Sequence, residues 1–280
     1  MIIIRKYLCF LILAIFSFAS SSCKTKSIRQ NINAAGKDSV KPSLSHSPNV
    51  FLINDSFRVP QLNTTTEVWI YLPKGYEESK KSYPVFYVPG GDHFFSEDTI
   101  NSDWKVDETM DSIIASGKPP AIIVAVKHFQ KDSIEEIQTI KFFKETLKPF
   151  IDSAYRTDKE ETVIAGARNY AGVALYATLK YPETFKKAGV FSPRNRIFEV
   201  LKRNGLTGSG YKGMIFFYGG KNDKNMISLA DKIVANSNSY IYLIDKQNPK
   251  RHESPLGGWF PEFYYWVLSN GHNYIIKPKR

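Results

Sequence analysis

Thr162-Val-Ile-Ala-Gly166-Ala-Arg-Asn-Tyr-Ala171-Gly-Val-Ala-Leu-Tyr-Ala-Thr-Leu179 is the stretch on which the reading of this chain turns. Its first four residues form a short apolar run of the kind a strand buried on both faces requires. Gly172–Leu179 reads as a helix, and Gly166–Ala171 is the turn between them. Similar runs lie on both sides. The strand candidates are Val50–Val59, Glu67–Leu72, Pro84–Val88, Ala121–Val126, Thr162–Ala165, Gly189–Phe191, Met214–Tyr218 and Tyr240–Ile244. The helix candidates are Val106–Ser116, Ile134–Ala154, Gly172–Leu179, Arg196–Arg203, Met226–Ala235 and Glu262–Leu268. The first two strands flank Pro60-Gln-Leu-Asn-Thr-Thr65, a turn-rich segment suited to an antiparallel hairpin. Strands that then alternate with helices predict a doubly wound, mostly parallel α/β sheet with helices on both faces. In such a sheet, chemistry sits beyond the carboxyl ends of the strands.

Composition agrees with one packed domain. The chain has 280 residues, 42% hydrophobic and 14% aromatic, and its 23% charged residues exclude a disordered chain. The net charge of +11 is scattered with no Lys/Arg block, so it reads as general surface charge and no nucleic-acid partner is expected. The two cysteines, Cys9 and Cys23, precede the body, which excludes a disulfide framework and a cysteine nucleophile within it. Asp92-His93 lack a third ligand at useful spacing, so neither a metal nor another cofactor is expected.

The amino terminus reads as an address. Arg5 and Lys6 precede a 14-residue apolar stretch, Tyr7–Ser20, and the small residues Ala19–Ser22 run into Cys23. The stretch falls short of the roughly 20 residues that span a bilayer. The arrangement resembles a bacterial lipoprotein signal, with Ser20 in place of the usual leucine three residues before the cysteine. The resemblance implies lipidation at Cys23 and attachment to the cell envelope, periplasmic or at the outer membrane. The other reading is an ordinary secreted protein cleaved near Ser20. The expected organisation is therefore residues 1–22 as signal, 23–48 as lipidated cysteine and polar tether, and 49–280 as the folded domain.

Several segments carry a family likeness: Val68-Trp-Ile-Tyr-Leu-Pro-Lys-Gly-Tyr-Glu-Glu-Ser79, Tyr83-Pro-Val-Phe-Tyr-Val88, Trp104-Lys-Val-Asp-Glu-Thr-Met110, Leu147-Lys-Pro-Phe-Ile-Asp152, Leu175-Tyr-Ala-Thr-Leu-Lys-Tyr-Pro-Glu-Thr-Phe185 and Gly189-Val-Phe-Ser-Pro193. Together they resemble the esterase family of α/β hydrolases, which includes esterase D-like and enterochelin-esterase-like enzymes. The resemblance covers roughly Phe57 to Leu268 and implies an α/β-hydrolase fold: an eight-stranded, mostly parallel sheet with an amino-terminal antiparallel hairpin. It also implies a Gly-x-Ser-x-Gly nucleophile elbow after the fifth strand, an acid after a later strand and a histidine after the last.

The elbow positions here are Gly166-Ala-Arg168-Asn169-Tyr170-Ala171, with Arg168 at the serine and Tyr170 at the second glycine. A guanidinium stays protonated and has no lone pair with which to attack a carbonyl. Tyr170 is expected to crowd a turn that glycine leaves open. His252 and Asp223 correspond to the remaining triad members, with Asn222 the neighbouring choice for the acid. Gly90, Gly91, Asp92 and His93 correspond to the oxyanion loop, whose second donor would come from Asn169. The expectation is an esterase-like protein without its nucleophile, binding an anionic or ester-like small molecule or an envelope protein. The alternative is an active carboxylic-ester hydrolase with a non-standard nucleophile. Two readings of Arg168 stand beside each other: a surface arginine paired with Asp223 or Glu253, and a cation that captures a carboxylate or phosphate. Phe94, Phe95, Trp104 and Trp259 read either as cleft lining or as core, and Ser192 reads as a turn residue or a substitute nucleophile.

Overall fold

The computed structural model describes residues 47–91, 95, 105–127, 129, 136–193, 201–205, 213–219, 241–245 and 260–269. The chain divides into two units, Met1–Lys41 and Pro42–Arg280, and all described residues belong to the second.

Strand β1 (Val50–Val59) turns through a short 3-10 segment, Pro60–Leu62, into β2 (Thr64–Tyr71). The hairpin is the one the sequence predicts, but β2 starts three residues early because Thr64–Thr66 pair with Val59–Phe57 across the turn. There follow β3 (Tyr83–Pro89), α1 (Val106–Ala115) and β4 (Ile122–Val126). Helix α2 (Glu136–Lys141) passes through a π-helical segment, Phe142–Leu147, into α3 (Lys148–Ala154). The single helix expected over Ile134–Ala154 is therefore interrupted. Pro149 lacks an N–H and its ring would strike the carbonyl of residue 145, so the ladder widens by one residue before it. Lys148 accordingly donates its N–H to the carbonyl of Phe143. The chain continues with β5 (Thr157–Ala167), α4 (Ala171–Lys180), β6 (Lys187–Phe191), β7 (Met214–Gly219), β8 (Ile241–Asp245) and α5 (Phe260–Leu268). The helix expected over Met226–Ala235 lies outside the described residues. Of that expected over Arg196–Arg203, residues 201–203 are described and are helical.

The eight strands form one sheet in the order β1-β2-β4-β3-β5-β6-β7-β8. Pairs β1–β2 and β2–β4 are antiparallel, and every later pair is parallel. Alternate residues of the central strands feed two separate cores, as the two-residue period of a strand demands. Val85, Tyr87, Ile122, Val124, Ile164, Val190 and Phe217 face one core, closed by α2, α3, α4 and the π-helical segment. Phe86, Val88, Ile123, Ala125, Val163, Phe191 and Phe216 face the other, closed by α1 and α5. The aromatic face of α5 seals that side. Phe263 packs on Phe86, Phe191 and Phe216 with centroids 5.9, 5.5 and 5.3 Å apart.

The chain joins this body at the amino-terminal end of the parallel strands. Ser47 donates its N–H to Asp107 (2.8 Å) and its hydroxyl to Asp111 (2.6 Å). Asp111 also accepts from Asn49 Nδ2 (2.9 Å) and Tyr71 OH (2.8 Å). The register Val50–Tyr71–Ile123–Phe86–Val163 sets this junction level with Val163, five residues before Arg168. At about 3.3 Å per residue, the carboxyl edge lies roughly 16 Å further along the strands, and at about 4.8 Å per strand β5 lies roughly 19 Å across the sheet from β1. Among the described residues, no helix is long and apolar enough to cross a membrane.

Candidate functional site

The site is built at the carboxyl ends of β3, β4, β5 and β6, where strand ladders stop and chain direction changes. Past Ala167 at the end of β5, Arg168 adopts φ +52°, a left-handed conformation unusual for a residue with a side chain. Its N–H still donates to the carbonyl of Phe191 at 2.9 Å, extending the β5–β6 ladder by one residue. Tyr170 then donates its N–H to the Ala167 carbonyl (2.9 Å), closing a tight turn around Arg168 and Asn169. Helix α4 starts immediately after, with Ala174 N–H on the Tyr170 carbonyl at 3.1 Å. Gly166 is what permits this. A β-carbon there would lie 2.1 Å from the Tyr170 carbonyl oxygen and 2.5 Å from its carbon, which are backbone atoms of the turn itself.

Tyr170 does not prevent the turn. It takes an ordinary helical conformation, φ −82° and ψ −10°, and its side chain leaves the turn toward the ends of β3 and β4. The residue is 4% exposed. Its ring lies on Gly90, where an added β-carbon would meet Cδ2 and Cε2 at 2.3 Å, and its hydroxyl accepts the Phe129 N–H at 3.1 Å. Gly90 has φ +68°, so glycine serves there both for conformation and for room. Gly91, also buried, packs on Ala125 of β4. One phenol thus ties together the ends of three adjacent strands.

Arg168 and Asn169 are exposed at this edge. The side chain of Arg168 makes no hydrogen bond or ion pair with another described residue. Lys127, just past β4, is already paired with Glu67 at 2.6 Å. One strand over from Arg168, Ser192 follows β6 with φ +45° and donates its N–H to the Tyr218 carbonyl at 2.7 Å. Nothing in the local sequence around Ser192 signals its left-handed backbone.

Of the residues picked out from the sequence, the structure brings together Gly90, Gly91, Arg168, Asn169 and Tyr170, with Ser192 beside them. Asp92, His93, Asp223, His252 and Cys23 lie outside the described residues, as do Phe94, Trp104, Trp259 and Glu253. Phe95 is described, and it is buried in the core with α1 and α5 rather than lining an open cleft.

The model of the family described as Putative esterase matches residues 60–204, just over half of the chain. A stretch of 114 residues is 29% identical to endo-1,4-beta-xylanase Y of Acetivibrio thermocellus; it represents 40% of this chain and 10% of that protein, so the chain spans about a tenth of this curated relative. Among solved structures, the BES protein from Bacillus cereus is similar at TM-score 0.56 and 18% identity, covering 82% of this chain and 98% of that one. The enterobactin esterase from Shigella flexneri, solved in the presence of enterobactin, is similar at TM-score 0.57 and 16% identity, over 81% of this chain and 60% of that one. A serine-to-alanine mutant of the feruloyl esterase module from Clostridium thermocellum, complexed with sinapinate, is similar at TM-score 0.51 and 17% identity, over 86% and 99%. The α/β-hydrolase architecture, the hairpin at its start and the matched span agree: this chain belongs to the esterase family described as Putative esterase.

Proposed function

We propose that this chain is an exported, lipid-anchored member of the esterase family that binds its ligand without hydrolysing it. Arg168 stands where a hydrolase of this fold holds its serine, and captures an anion there. The observation that carries the reading is the conformation of Arg168. A strained turn that thrusts one side chain out at the sheet edge is the device that exposes a nucleophile in this fold. Here the strain, φ +52°, is retained under a permanent cation. Left-handed backbone costs a residue with a β-carbon about 1–2 kcal/mol, and such costs persist where the displayed group is used. The sinapinate complex of the serine-to-alanine mutant of the feruloyl esterase module supports it by analogy: a protein of this fold holds an aromatic carboxylate.

Attachment through Cys23 rests on the amino-terminal sequence.

A second reading, an ester hydrolase with another nucleophile, draws on Ser192, which shares the positive φ of Arg168 at the end of the next strand. One experiment separates them. Incubation with p-nitrophenyl acetate and with a fluorophosphonate probe is expected to give neither turnover above background nor a labelled serine. The Arg168→Ser variant is expected to stay inactive as well, because Tyr170 still lies on Gly90. Robust turnover abolished by His252→Ala, or labelling of Ser192, would replace the binding reading with the hydrolase.

A further inference from the structure

We propose that Arg168 and Ser192 together form a two-point receptor selective for a carboxylate over the corresponding ester. The proposal rests on the binding reading above and assigns its ligand class and a second residue. Four described residues other than glycine have positive φ: Asn63, Lys105, Arg168 and Ser192. Asn63 sits in the β1–β2 turn, where asparagine tolerates this conformation. Lys105, equally strained, opens α1; Arg168 and Ser192 differ in being neighbours. The N–H of Arg168 is bonded to the carbonyl of Phe191, the residue directly before Ser192. Two residues with strained backbones therefore leave the same sheet edge from adjacent strands, whose backbones are about 4.8 Å apart.

Their chemistry is complementary to one group. The guanidinium offers a planar fork of donors that matches the two oxygens of a carboxylate, and a serine hydroxyl adds a third donor. Neither side chain is engaged with another described residue. Among the described residues, the neighbouring cation at this edge, Lys127, is held by Glu67, so Arg168 is the available positive charge there, which suits a monoanion better than a phosphate dianion. An ester would present one neutral carbonyl oxygen to the fork, forfeiting both the charge and the second contact. The family scaffold is thereby converted from attacking an acyl ester to holding the free acid.

The test is isothermal titration of the full chain with acetate, benzoate and cinnamate, their methyl esters, and inorganic phosphate. At least one acid is expected to bind, its methyl ester about 10- to 100-fold more weakly. Arg168→Gln is expected to weaken that acid by a similar factor, and Arg168→Lys by less. Ser192→Gly is the diagnostic variant, because it removes the hydroxyl and also relaxes the backbone. It should raise the thermal unfolding midpoint while weakening the acid about 3- to 10-fold, a pairing that a purely structural serine would not produce. If Arg168→Gln abolishes binding but Ser192→Gly leaves it unchanged, or the ester or phosphate binds as tightly as the acid, this proposal falls and anion capture at Arg168 stands. If no acid binds, both fall. Labelling of Ser192 by a fluorophosphonate would also end both, by making the serine a nucleophile.

Discussion

Replacing Gly90 by alanine tests the clamp at the strand ends most directly. The new β-carbon would lie 2.3 Å from two carbons of the Tyr170 ring, more than 1 Å inside normal contact. The ring cannot simply swing away, because its hydroxyl is the acceptor for the buried Phe129 N–H at 3.1 Å. The left-handed backbone adds about 1–2 kcal/mol for alanine, and overpacking typically adds about 1–3 kcal/mol, so Gly90→Ala is expected to cost about 2–5 kcal/mol. The structure supplies its own control. Gly205 has φ +65° and nothing within 4 Å of an added β-carbon, so Gly205→Ala should show the backbone cost alone, about 1–2 kcal/mol. Urea unfolding, read as midpoint shifts at constant slope, measures both. In a Tyr170→Ala background the steric part should vanish, leaving Gly90→Ala no worse than Gly205→Ala. Equal losses for Gly90→Ala with and without the tyrosine ring would refute the contact of Tyr170 with Gly90.

Asp111→Ala strands three donors, from Ser47, Asn49 and Tyr71, and should cost about 2–4 kcal/mol in urea unfolding, with faster proteolysis near residues 42–48; an unchanged midpoint would dismiss the junction as a stabilising contact. Burial, with a smaller contribution from Tyr76, pushes the Tyr155 hydroxyl up to about 12, and burial also raises Tyr71, Tyr87 and Tyr264. A folded-state value above the unfolded one means that stability is complete below pH 10 and falls as pH rises from there toward 12. The loss approaches about 1.4 kcal/mol per pH unit for each such tyrosine, and a flat unfolding midpoint between pH 9 and 11 would contradict their burial. Cys23→Ala should move the protein from the membrane to the soluble fraction; unchanged fractionation would refute the lipid anchor.

Local sequence carried much of this molecule. Apolar runs such as Ile122–Val126 and Gly189–Phe191 are legible because a strand covered by helices on both faces must bury every residue it has. For the same reason all eight strand positions, the hairpin formed by the first two, and the turn at Gly166–Ala171 could be read from the sequence. The interruption at Phe142–Leu147 could not, although its cause, Pro149, was in plain view. A widened helical turn and a kinked or broken helix answer the same proline equally well, and packing of Phe142 and Phe143 into the core selects between them.

The candidate site divides in the same way. The expectation of a guanidinium at the serine position and a phenol at a glycine position comes from the chain alone, because it follows from counting along a motif. What those residues do to each other belongs to the tertiary structure. Tyr170 reads in isolation as an obstacle to a tight turn, yet in space it becomes a brace between Gly90 and Phe129, residues distant in the chain. Arg168 and Ser192 become neighbours only when β5 and β6 pair in register, and their shared left-handed backbone has no local sequence signal because neither residue type favours it. Propensity and periodicity report what each segment prefers separately. Strain and close approach exist only where the packed sheet forces segments together against that preference.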